Sequence, residues 1–270
     1  MSPLEAAVLG IVQALTEFLP VSSSGHLVLA QALLGIQDEG GAAFEVAVHF
    51  GTLLSVLLLF RREVASLFAT AFGVLRRPTG LRARFAQDPN LRLLVAILVG
   101  CVPAGVVGVL FKSQLEAAFD HPRLVGAGLL VTGVVLLLTL RAPRGDRPVG
   151  LRAAVIIGLA QAVAILPGIS RAGSTIATAL FLRVEREAAA RYSFLLSLPV
   201  VAGATLLKAR DLVAVPPSGE ALVAMGVGAA VSFVAGLFAL WLILAVVRRG
   251  WFAHFGWYCL VAGGLALALV

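Results

Sequence analysis

Long apolar runs follow one another along almost the whole chain, separated by short polar connections. Six of these runs are long enough to predict membrane-spanning helices, at approximately residues 42–60, 91–111, 124–140, 189–207, 222–247 and 251–270. Runs of about 18 or more apolar residues with few charges are typical of such spans. The pattern therefore predicts an all-α polytopic membrane protein with six transmembrane helices.

Two further apolar segments, 4–34 and 153–182, are interrupted by polar residues. The interruption covers residues 16–26 in the first segment and 167–175 in the second. Before its interruption, the first segment offers residues 4–18, which would form about 22 Å of helix and cannot cross a bilayer core of about 30 Å. Broken backbone at such depth is tolerated only where protein or a wet cavity satisfies it. We therefore predict two re-entrant helical hairpins, each entering and leaving on one side of the membrane.

The two interrupted segments resemble each other in sequence. Residues 10–15 (GIVQAL) align with residues 158–163 (GLAQAV), and the Leu-Pro pair at 19–20 aligns with the pair at 166–167 after a one-residue gap. Three predicted spans follow each segment. The chain is thus expected to consist of two related halves, whose broken helices meet near a common axis and form the functional site.

Charge predicts that the two halves have opposite orientation. The connections 61–92 and 141–152 are rich in arginine, which is typical of cytoplasmic loops. Counting spans from these loops puts the ends of the first hairpin outside and those of the second inside. We therefore expect one membrane domain, residues 1–270, built as an inverted-topology repeat of about 1–140 and about 151–270.

Composition agrees with a membrane protein and excludes several other classes. Apolar residues make up 60% of the chain and charged residues 13%, whereas soluble domains have about 45–50% and about 25%. A soluble enzyme, a secreted disulfide scaffold and a disordered tail are therefore excluded. The net charge of +7 would suggest nucleic acid as a partner in a soluble protein. Because the arginines cluster beside apolar runs, we predict membrane lipids as partners and no nucleic acid.

The first hairpin carries ionisable side chains at membrane depth, where they are costly and indicate function. Gln13 and Glu17 are four residues apart and so lie on one helix face, and His26 follows the break. At the start of the second half-helix, free amides and the helix dipole attract anions. Three hydroxyls fall at that place: Ser22, Ser23 and Ser24. Serine is also a common N-cap, which would account for one of the three but not for the whole set.

The second hairpin carries Arg171 among small and hydroxylated residues, namely Gly168, Ser170, Gly173, Ser174 and Thr175. An arginine fork gives bidentate hydrogen bonds, and glycines let backbone amides approach an anion, so this set suits a phosphate or carboxylate. A structural ion pair between Arg171 and Glu17 is the alternative. One hairpin would thus supply acid–base groups, while the other neutralises a polyanion.

Other polar residues give weaker signals. Glu45 and His49 are four residues apart on one predicted helix face and could line the pocket or bind a cation, although placement at the membrane interface explains them equally well. His121 and His254 lie beside loops or span ends and are expected to be bystanders. Cys101 and Cys259 sit in apolar stretches, where thiols behave as small hydrophobes.

The two motifs together resemble a known family, the bacterial undecaprenyl-diphosphate phosphatases linked to bacitracin resistance. Its first signature is similar to Gln13 and Glu17 followed by the run Phe18-Leu19-Pro20-Val21-Ser22-Ser23-Ser24-Gly25-His26. Its second is similar to Pro167-Gly168-Ile169-Ser170-Arg171-Ala172-Gly173-Ser174-Thr175. The resemblance covers essentially the whole chain. There are two departures from the family pattern. Gln13 stands where many members have a glutamate, and it cannot act as a general base. Ala172 stands in place of a serine, so it offers no hydroxyl.

The resemblance implies that the chain hydrolyses undecaprenyl diphosphate to the monophosphate and inorganic phosphate. This reaction recycles the lipid carrier for peptidoglycan synthesis and confers bacitracin resistance. The implied location is the bacterial inner membrane, with the active site on the outer face. The implied cofactor is a divalent cation, Mg²⁺ or Ca²⁺, held by Glu17 and Gln13. The sequence leaves the oligomeric state open, a homodimer included.

Our mechanistic hypothesis assigns the attack on the terminal phosphorus to Ser23. His26 would act as base and then acid, with Glu17 orienting His26 or holding the metal. Arg171 would stabilise the transferring phosphoryl group, aided by Ser170, Thr175 and the half-helix amides. Ser22, Ser24 or a water could replace Ser23, and a phosphoenzyme on His26 is also open.

Two alternatives compete with this interpretation. Inverted repeats and broken helices are also typical of transporters, so a carrier or lipid flippase could use the same anion pocket without chemistry. The acid-phosphatase-like lipid phosphatases share a Ser-Gly-His motif, which Ser24, Gly25 and His26 match superficially. Their catalytic histidine would fall at position 177, which is an alanine here, so this second alternative fails.

Overall fold

The computed structural model describes residues 1–34, 41–77, 79–119, 121–214 and 218–269. These residues form thirteen α-helices and no β-sheet; an isolated bridge joins Arg147 and Val184. In chain order the helices are α1 (Pro3–Phe18), α2 (Ser23–Leu34), α3 (Gly41–Leu59), α4 (Arg61–Arg76), α5 (Leu81–Gln87), α6 (Pro89–Leu110), α7 (Lys112–Phe119), α8 (Pro122–Leu138), α9 (Leu151–Val163), α10 (Arg171–Phe181), α11 (Arg186–Ala214), α12 (Gly219–Arg249) and α13 (Phe255–Leu269).

Among the described residues, four helical stretches are long and apolar enough to cross a membrane: Pro89–Leu110, Arg123–Arg141, Arg186–Leu207 and Gly219–Arg249. A fifth is obtained if Ala43–Leu59 and Arg61–Arg76, which are bent by 83° relative to each other, count as one span. The all-helical, multi-pass architecture predicted from the sequence is thus confirmed.

The predicted spans differ in detail from the helices. The last predicted span, 251–270, corresponds to a shorter apolar helix over Phe252–Ala268. The arginine-rich connection 61–92 is mostly helical, because it contains α4, α5 and the start of α6. Helix α4 begins directly after the end of α3, so the chain turns sharply there without an extended loop.

Both interrupted segments are pairs of short helices separated by a break. Helix α1 begins with a capping box, in which Ser2 and Glu5 exchange hydrogen bonds, and with a proline at its first turn. It ends before Pro20, and Ser22 then adopts a left-handed backbone conformation with φ 70°. Because few non-glycine residues occupy that region, Ser22 marks a firm turn between α1 and α2.

The break in the second segment also depends on a left-handed residue. Helix α9 ends at Val163, and Gly168 has a φ of 81° before α10 begins at Arg171. A Cβ at this glycine would overlap the carbonyl group of Val125 on α8. The loop therefore needs glycine both for its conformation and for its close approach to α8.

Each broken segment packs on a long helix of the opposite half through glycines. On α1, a Cβ at Gly10 would lie 2.7 Å from the carbonyl oxygen of Gly228 on α12. On α9, a Cβ at Gly158 would overlap the carbonyl of Gly100 on α6. Small residues at such crossings let helix backbones approach closely in membrane proteins. Helices α3 and α11 pack together in the same cross-half manner, as do α8 and α13.

The larger of two buried clusters among the described residues reaches both broken segments. It includes Phe18 at the end of α1, whose ring meets the ring of Phe194 on α11 edge-on with centroids 5.8 Å apart. Ala172 and Ile176 of α10 belong to the same cluster. The apolar faces next to both breaks are therefore fixed by one core, which holds the polar residues of the breaks at defined positions.

Candidate active site

Glu17, in the last turn of α1, joins the two sequence motifs. Its Oε1 accepts a hydrogen bond from Nη2 of Arg171 at 2.5 Å, across the two halves. Its Oε2 accepts one from the Ser23 hydroxyl at 2.8 Å and another from Nε2 of Gln13 at 3.2 Å. The Glu17 side chain is only 9% exposed. The expected meeting of the two hairpins is therefore present, and a buried carboxylate is its centre.

Two polar atoms of this cluster are buried without a hydrogen-bond partner among the described residues. They are Nη1 of Arg171 and Oε1 of Gln13. Buried polar atoms are rarely left unpaired, because each costs the desolvation energy of the group. One is a charged donor and the other is an acceptor. The site therefore offers complementary positions for an anion and for a cation or donor.

Arg171 is the first residue of α10, at the helix end where backbone amides lack partners within the helix. Ser170 caps this helix, since its hydroxyl accepts a hydrogen bond from the amide of Gly173 at 3.0 Å. Free amides and the helix dipole at such an end favour negative charge. The guanidinium thus belongs to the first residue of a helix end that favours negative charge.

Thr132 on α8 holds the second break in shape. Its hydroxyl donates to the carbonyl oxygen of Gly168 at 3.1 Å and accepts from the amide of Ser170 at 3.0 Å. The side chain is buried. The last residues of the loop before α10 are therefore tied to one side chain from the other half.

Thr175 and Ser174, both predicted to bind substrate, differ in where they lie on α10. Thr175 is fully buried and its hydroxyl bonds the carbonyl of Arg171 at 2.8 Å and the hydroxyl of Ser193 at 2.6 Å. It therefore faces the core beneath α10. Ser174 is partly exposed on the same helix, and its amide donates to the carbonyl of Ser170.

His26 lies on α2 one turn after Ser23 but is engaged elsewhere. Its Nδ1 is 2.8 Å from the carbonyl oxygen of Ser22, and its Nε2 is 2.6 Å from the hydroxyl of Tyr258 on α13. Ser23 instead donates to Glu17. The geometry thus pairs the serine with the carboxylate, whereas our hypothesis from the sequence paired it with the histidine.

The remaining motif residues bring the two breaks into contact. Ser22 is buried, and its hydroxyl lies 3.5 Å from that of Ser24. A Cβ at Gly173 would be 3.4 Å from the Cβ of Pro20. A Cβ at Gly25 would be 3.9 Å from the Cα of Gly168. The turns of the two hairpins therefore touch, as the sequence repeat predicts.

Several residues near the site were weakly signalled by the sequence or missed. His49 on α3 has its Nε2 3.9 Å from Oε2 of Glu17, so it faces the cluster more closely than expected. Thr132 and Ser193 are polar residues within apolar helices, and that contrast was a signal available in the sequence. Tyr258 lies in a predicted apolar span, and no feature of the sequence distinguishes it. His254, which was expected to be a bystander, lines the same groove as Tyr258.

The donor atoms fit a divalent cation only in part. Among the described residues, no group of three or more His, Cys, Asp and Glu side chains lies close enough to hold a metal. Magnesium, however, is often held by one or two carboxylates, with water and substrate phosphates as further ligands. Glu17 and the unpaired Oε1 of Gln13 fit such a site.

An apolar groove of about 640 Å³ begins beside the first break. It reaches from Val21 and Tyr258 to the end of α12. Its lining is mostly apolar: Leu15, Thr16, Leu19, Val21, Val246, Trp251, His254, Phe255 and Tyr258. The groove therefore runs beside the first hairpin: Thr16, the chain neighbour of Glu17, and Tyr258, the partner of His26, both line it.

Comparison with known proteins gives consistent matches along the chain. The family model described as bacitracin resistance protein BacA matches residues 6–265. A protein of Salinibacter ruber named undecaprenyl-diphosphatase is 48% identical over 98% of both chains. Relatives of the same name from Geobacter metallireducens and Korarchaeum cryptofilum are 46% and 43% identical, each over 99–100% of both chains.

Proposed function

The chain belongs to the BacA family of bacitracin resistance proteins, and we propose on this basis that it hydrolyses undecaprenyl diphosphate to undecaprenyl phosphate and inorganic phosphate. The product is the lipid carrier used in peptidoglycan synthesis, and its recycling would confer bacitracin resistance. The observation that carries the proposal is the Glu17 cluster, which combines a serine, a carboxylate and an arginine with an unpaired buried Nη1.

The contacts support a serine nucleophile activated by Glu17. Ser23 Oγ would attack the terminal phosphorus while its proton passes to Oε2 of Glu17, 2.8 Å away. The new Ser23 O–P bond replaces the bond to the bridging oxygen, which leaves with undecaprenyl phosphate. Water then cleaves the phosphoserine and releases phosphate, and His26 is assigned the activation of that water.

Charge on the transferring phosphoryl group would be balanced by the second hairpin. Nη1 of Arg171 and the amides at the start of α10 are donors of the kind that phosphate oxygens accept. Gly173 lets the first break, at Pro20, approach this helix end, whereas Thr175 supports it from the core side. Ser22 and Ser24 lie beside Ser23 and are assigned to substrate binding, together with Gly168, Ser170 and Ser174.

We propose that Mg²⁺ or Ca²⁺ assists the reaction and is held by Glu17 and Oε1 of Gln13 together with diphosphate oxygens. The cation would supply further neutralisation of the diphosphate charge. The donor atoms of these two side chains, one carboxylate and one unpaired amide oxygen, support this assignment.

The apolar groove supports an amphipathic substrate. A prenyl diphosphate has a charged head, which fits the Glu17–Arg171 cluster, and a long hydrocarbon tail, which needs an apolar surface beside it. The groove that begins at Val21 and Tyr258 offers such a surface.

We further propose the finer membrane topology given by the sequence: six spans and two re-entrant hairpins in an inverted repeat of residues 1–140 and 151–270. Reciprocal packing supports it, because α1 packs on α12 while α9 packs on α6, and the remaining spans pair across the halves. The site would face the outer side of the bacterial inner membrane. Both motifs meet within one chain, so a homodimer is not required.

Phosphate release from undecaprenyl diphosphate by detergent-purified protein tests the proposal. Wild type should release phosphate, and Ser23→Ala should lose at least about a hundredfold in kcat, because the covalent step is removed. Ser113→Ala on α7, far along the chain from both motifs, should keep the wild-type rate. Unchanged release by Ser23→Ala would refute the serine mechanism.

A carrier that binds the lipid diphosphate without chemistry is the second candidate, because broken helices packed across two halves are typical of transporters. The same assay separates the two functions. Wild-type protein that binds undecaprenyl diphosphate but releases no phosphate would favour the carrier.

A further inference from the structure

Tyr258, near the start of the last helix, contacts His26 in two ways. Its hydroxyl lies 2.6 Å from Nε2 of His26, and the two rings stack with centroids 5.5 Å apart at an angle of 19°. The residues are 232 positions apart in the chain. No motif of the sequence involves Tyr258, and the mechanism above does not use it.

The other ring nitrogen of His26 determines the direction of this hydrogen bond. Nδ1 lies 2.8 Å from the carbonyl oxygen of Ser22, which can only accept. Nδ1 must therefore carry the proton. In the neutral ring this leaves the lone pair on Nε2, so the hydroxyl of Tyr258 is the donor.

The ring of His26 is thus held at both nitrogens. Ser22, which supplies the carbonyl, has a left-handed backbone that orients this carbonyl toward the start of α2. Tyr258 approaches from α13 and adds the stacking contact along the ring face. Together they leave the imidazole one tautomer and one orientation.

We propose that Tyr258 fixes the orientation of His26 and relays the proton of the attacking water to it. The proposal rests on the proposed function, because it gives His26 a part in proton transfer. Its physical basis is that a base works only when its lone pair is presented to the reacting proton in a defined direction. The lone pair on Nε2 accepts the Tyr258 hydrogen bond, so the water acts through this hydroxyl, which belongs to a residue that is 49% exposed. The hydroxyl passes its proton to Nε2 while its oxygen takes the proton of the water that cleaves the phosphoserine.

A purely structural role of Tyr258 predicts different behaviour. Its ring also lines the apolar groove, so it contributes packing between α13 and the first hairpin. Packing depends on the ring and not on the hydroxyl. Tyr258→Phe keeps the ring and its stack on His26 and removes only the hydrogen bond, which separates the two roles.

The kinetic test compares purified wild type, Tyr258→Phe and Trp257→Phe in phosphate release from undecaprenyl diphosphate. Trp257 is the neighbouring, exposed aromatic residue on the same helix and serves as the matched control. Tyr258→Phe should lower kcat about three- to tenfold, the loss expected for one neutral hydrogen bond, with little change in KM. Wild-type kcat in Tyr258→Phe, or the same loss in Trp257→Phe, would overturn the proposal.

A spectroscopic test reads the positioning without relying on activity. Protein labelled with ¹⁵N-histidine should give ring signals for His26, assigned by their loss in His26→Ala, that are protonated at Nδ1 and unprotonated at Nε2. In Tyr258→Phe the Nε2 signal should shift, because its hydrogen bond is lost, while Nδ1 stays protonated through its contact with Ser22. Unchanged signals would overturn the proposal even with an active enzyme. A wild type with the expected signals but no phosphate release would instead overturn the proposed function.

Discussion

At the scale of single residues, Glu17 is the side chain around which the site is arranged. It is nearly buried, and its two oxygens receive hydrogen bonds from Arg171, Ser23 and Gln13. A buried ion pair stabilises little by itself, because desolvation offsets the attraction, but removing one partner leaves an uncompensated charge. The ion pair therefore fixes the position of Arg171 and contributes little to the stability of the fold.

The amide at position 13 should limit how strongly a cation is held. Gln13→Glu places a second carboxylate beside Glu17, and two carboxylates bind a hard divalent cation more tightly than one. We expect a lower Mg²⁺ concentration for half-maximal phosphate release, by about tenfold. A titration of phosphate release against Mg²⁺ after treatment with chelator measures this. An unchanged midpoint would remove Gln13 from the cation site.

Thr132 should be required for the shape of the second break. Thr132→Val removes the hydroxyl that bonds Gly168 and Ser170, and leaves a buried amide and carbonyl unpaired. We expect a loss of about 1–3 kcal/mol in the free energy of unfolding and a lower kcat. Thermal melting and phosphate release measure the two effects. Thr132→Ser keeps the hydroxyl and should behave as wild type; an equal loss in it would contradict this role.

Much of the residue-level site could be predicted because polar groups at membrane depth stand out from their surroundings. Glu17, Arg171 and the serines were found in this way, and the structure brings them together. The pairing of Ser23 with Glu17 could not be predicted, because it depends on how the chain turns at Ser22. The contact of Tyr258 with His26 joins distant parts of the chain, and no periodicity marks it.

At the scale of elements, the hairpins depend on what supports their breaks. Helix α8 runs directly beneath the second break: a Cβ at Gly128 would overlap the carbonyl of Pro167, and Thr132 lies one turn further on. Neither Pro167 nor Thr132 can move easily. The contact at Pro167 is with its backbone, and the Thr132 hydroxyl is hydrogen-bonded to both Gly168 and Ser170. The break is therefore held by a long helix and not by the loop itself.

Gly128→Ala should displace this loop. The added methyl group meets backbone, so overpacking should lower the free energy of unfolding by about 1–3 kcal/mol and reduce phosphate release. Gly105→Ala on α6 is the matched control, because nothing lies within 4 Å of a Cβ there. That variant should melt at or above the wild-type temperature. Equal melting temperatures for the two variants would contradict the account of the break.

Element boundaries were predicted less well than element type. Hydropathy identified the apolar helices but not α4 and α5, because the arginines of residues 61–92 make that stretch polar. The bend of 83° between α3 and α4 has no proline or glycine at the junction to signal it, since Phe60 separates them. Such a bend is decided by packing, which a hydropathy profile does not contain.

At the scale of the whole molecule, the two halves depend on each other. Each broken segment packs on a long helix from the other half, through Gly10 on Gly228 and Gly158 on Gly100. The site follows the same rule, because Glu17 comes from one half and Arg171 from the other. The sequence repeat predicted this meeting, and the ion pair between Glu17 and Arg171 was the alternative that the sequence offered for the arginine.

Opposite orientation of the connections can be measured with thiol labelling. One predicted span separates Ser113 from each of the two arginine-rich connections, so its own connection should lie outside, and Ser113→Cys should react with a membrane-impermeant maleimide in intact cells. Ala142→Cys, in the arginine-rich connection, should react only after the membrane is permeabilised. The parent protein, whose Cys101 and Cys259 lie in apolar helices, provides the background. Labelling of Ala142→Cys in intact cells would contradict the proposed orientation.

The most direct test of one site built from both halves is the rate of phosphate release by Arg171→Ala beside Arg123→Ala, with undecaprenyl diphosphate and Mg²⁺. Arg123, an exposed residue at the start of α8, is the control for loss of a positive charge. We predict that Arg171→Ala loses about a hundredfold or more in kcat, since a charged donor to the transferring phosphoryl group is removed, while Arg123→Ala keeps the wild-type rate. Wild-type release by Arg171→Ala would contradict the central claim.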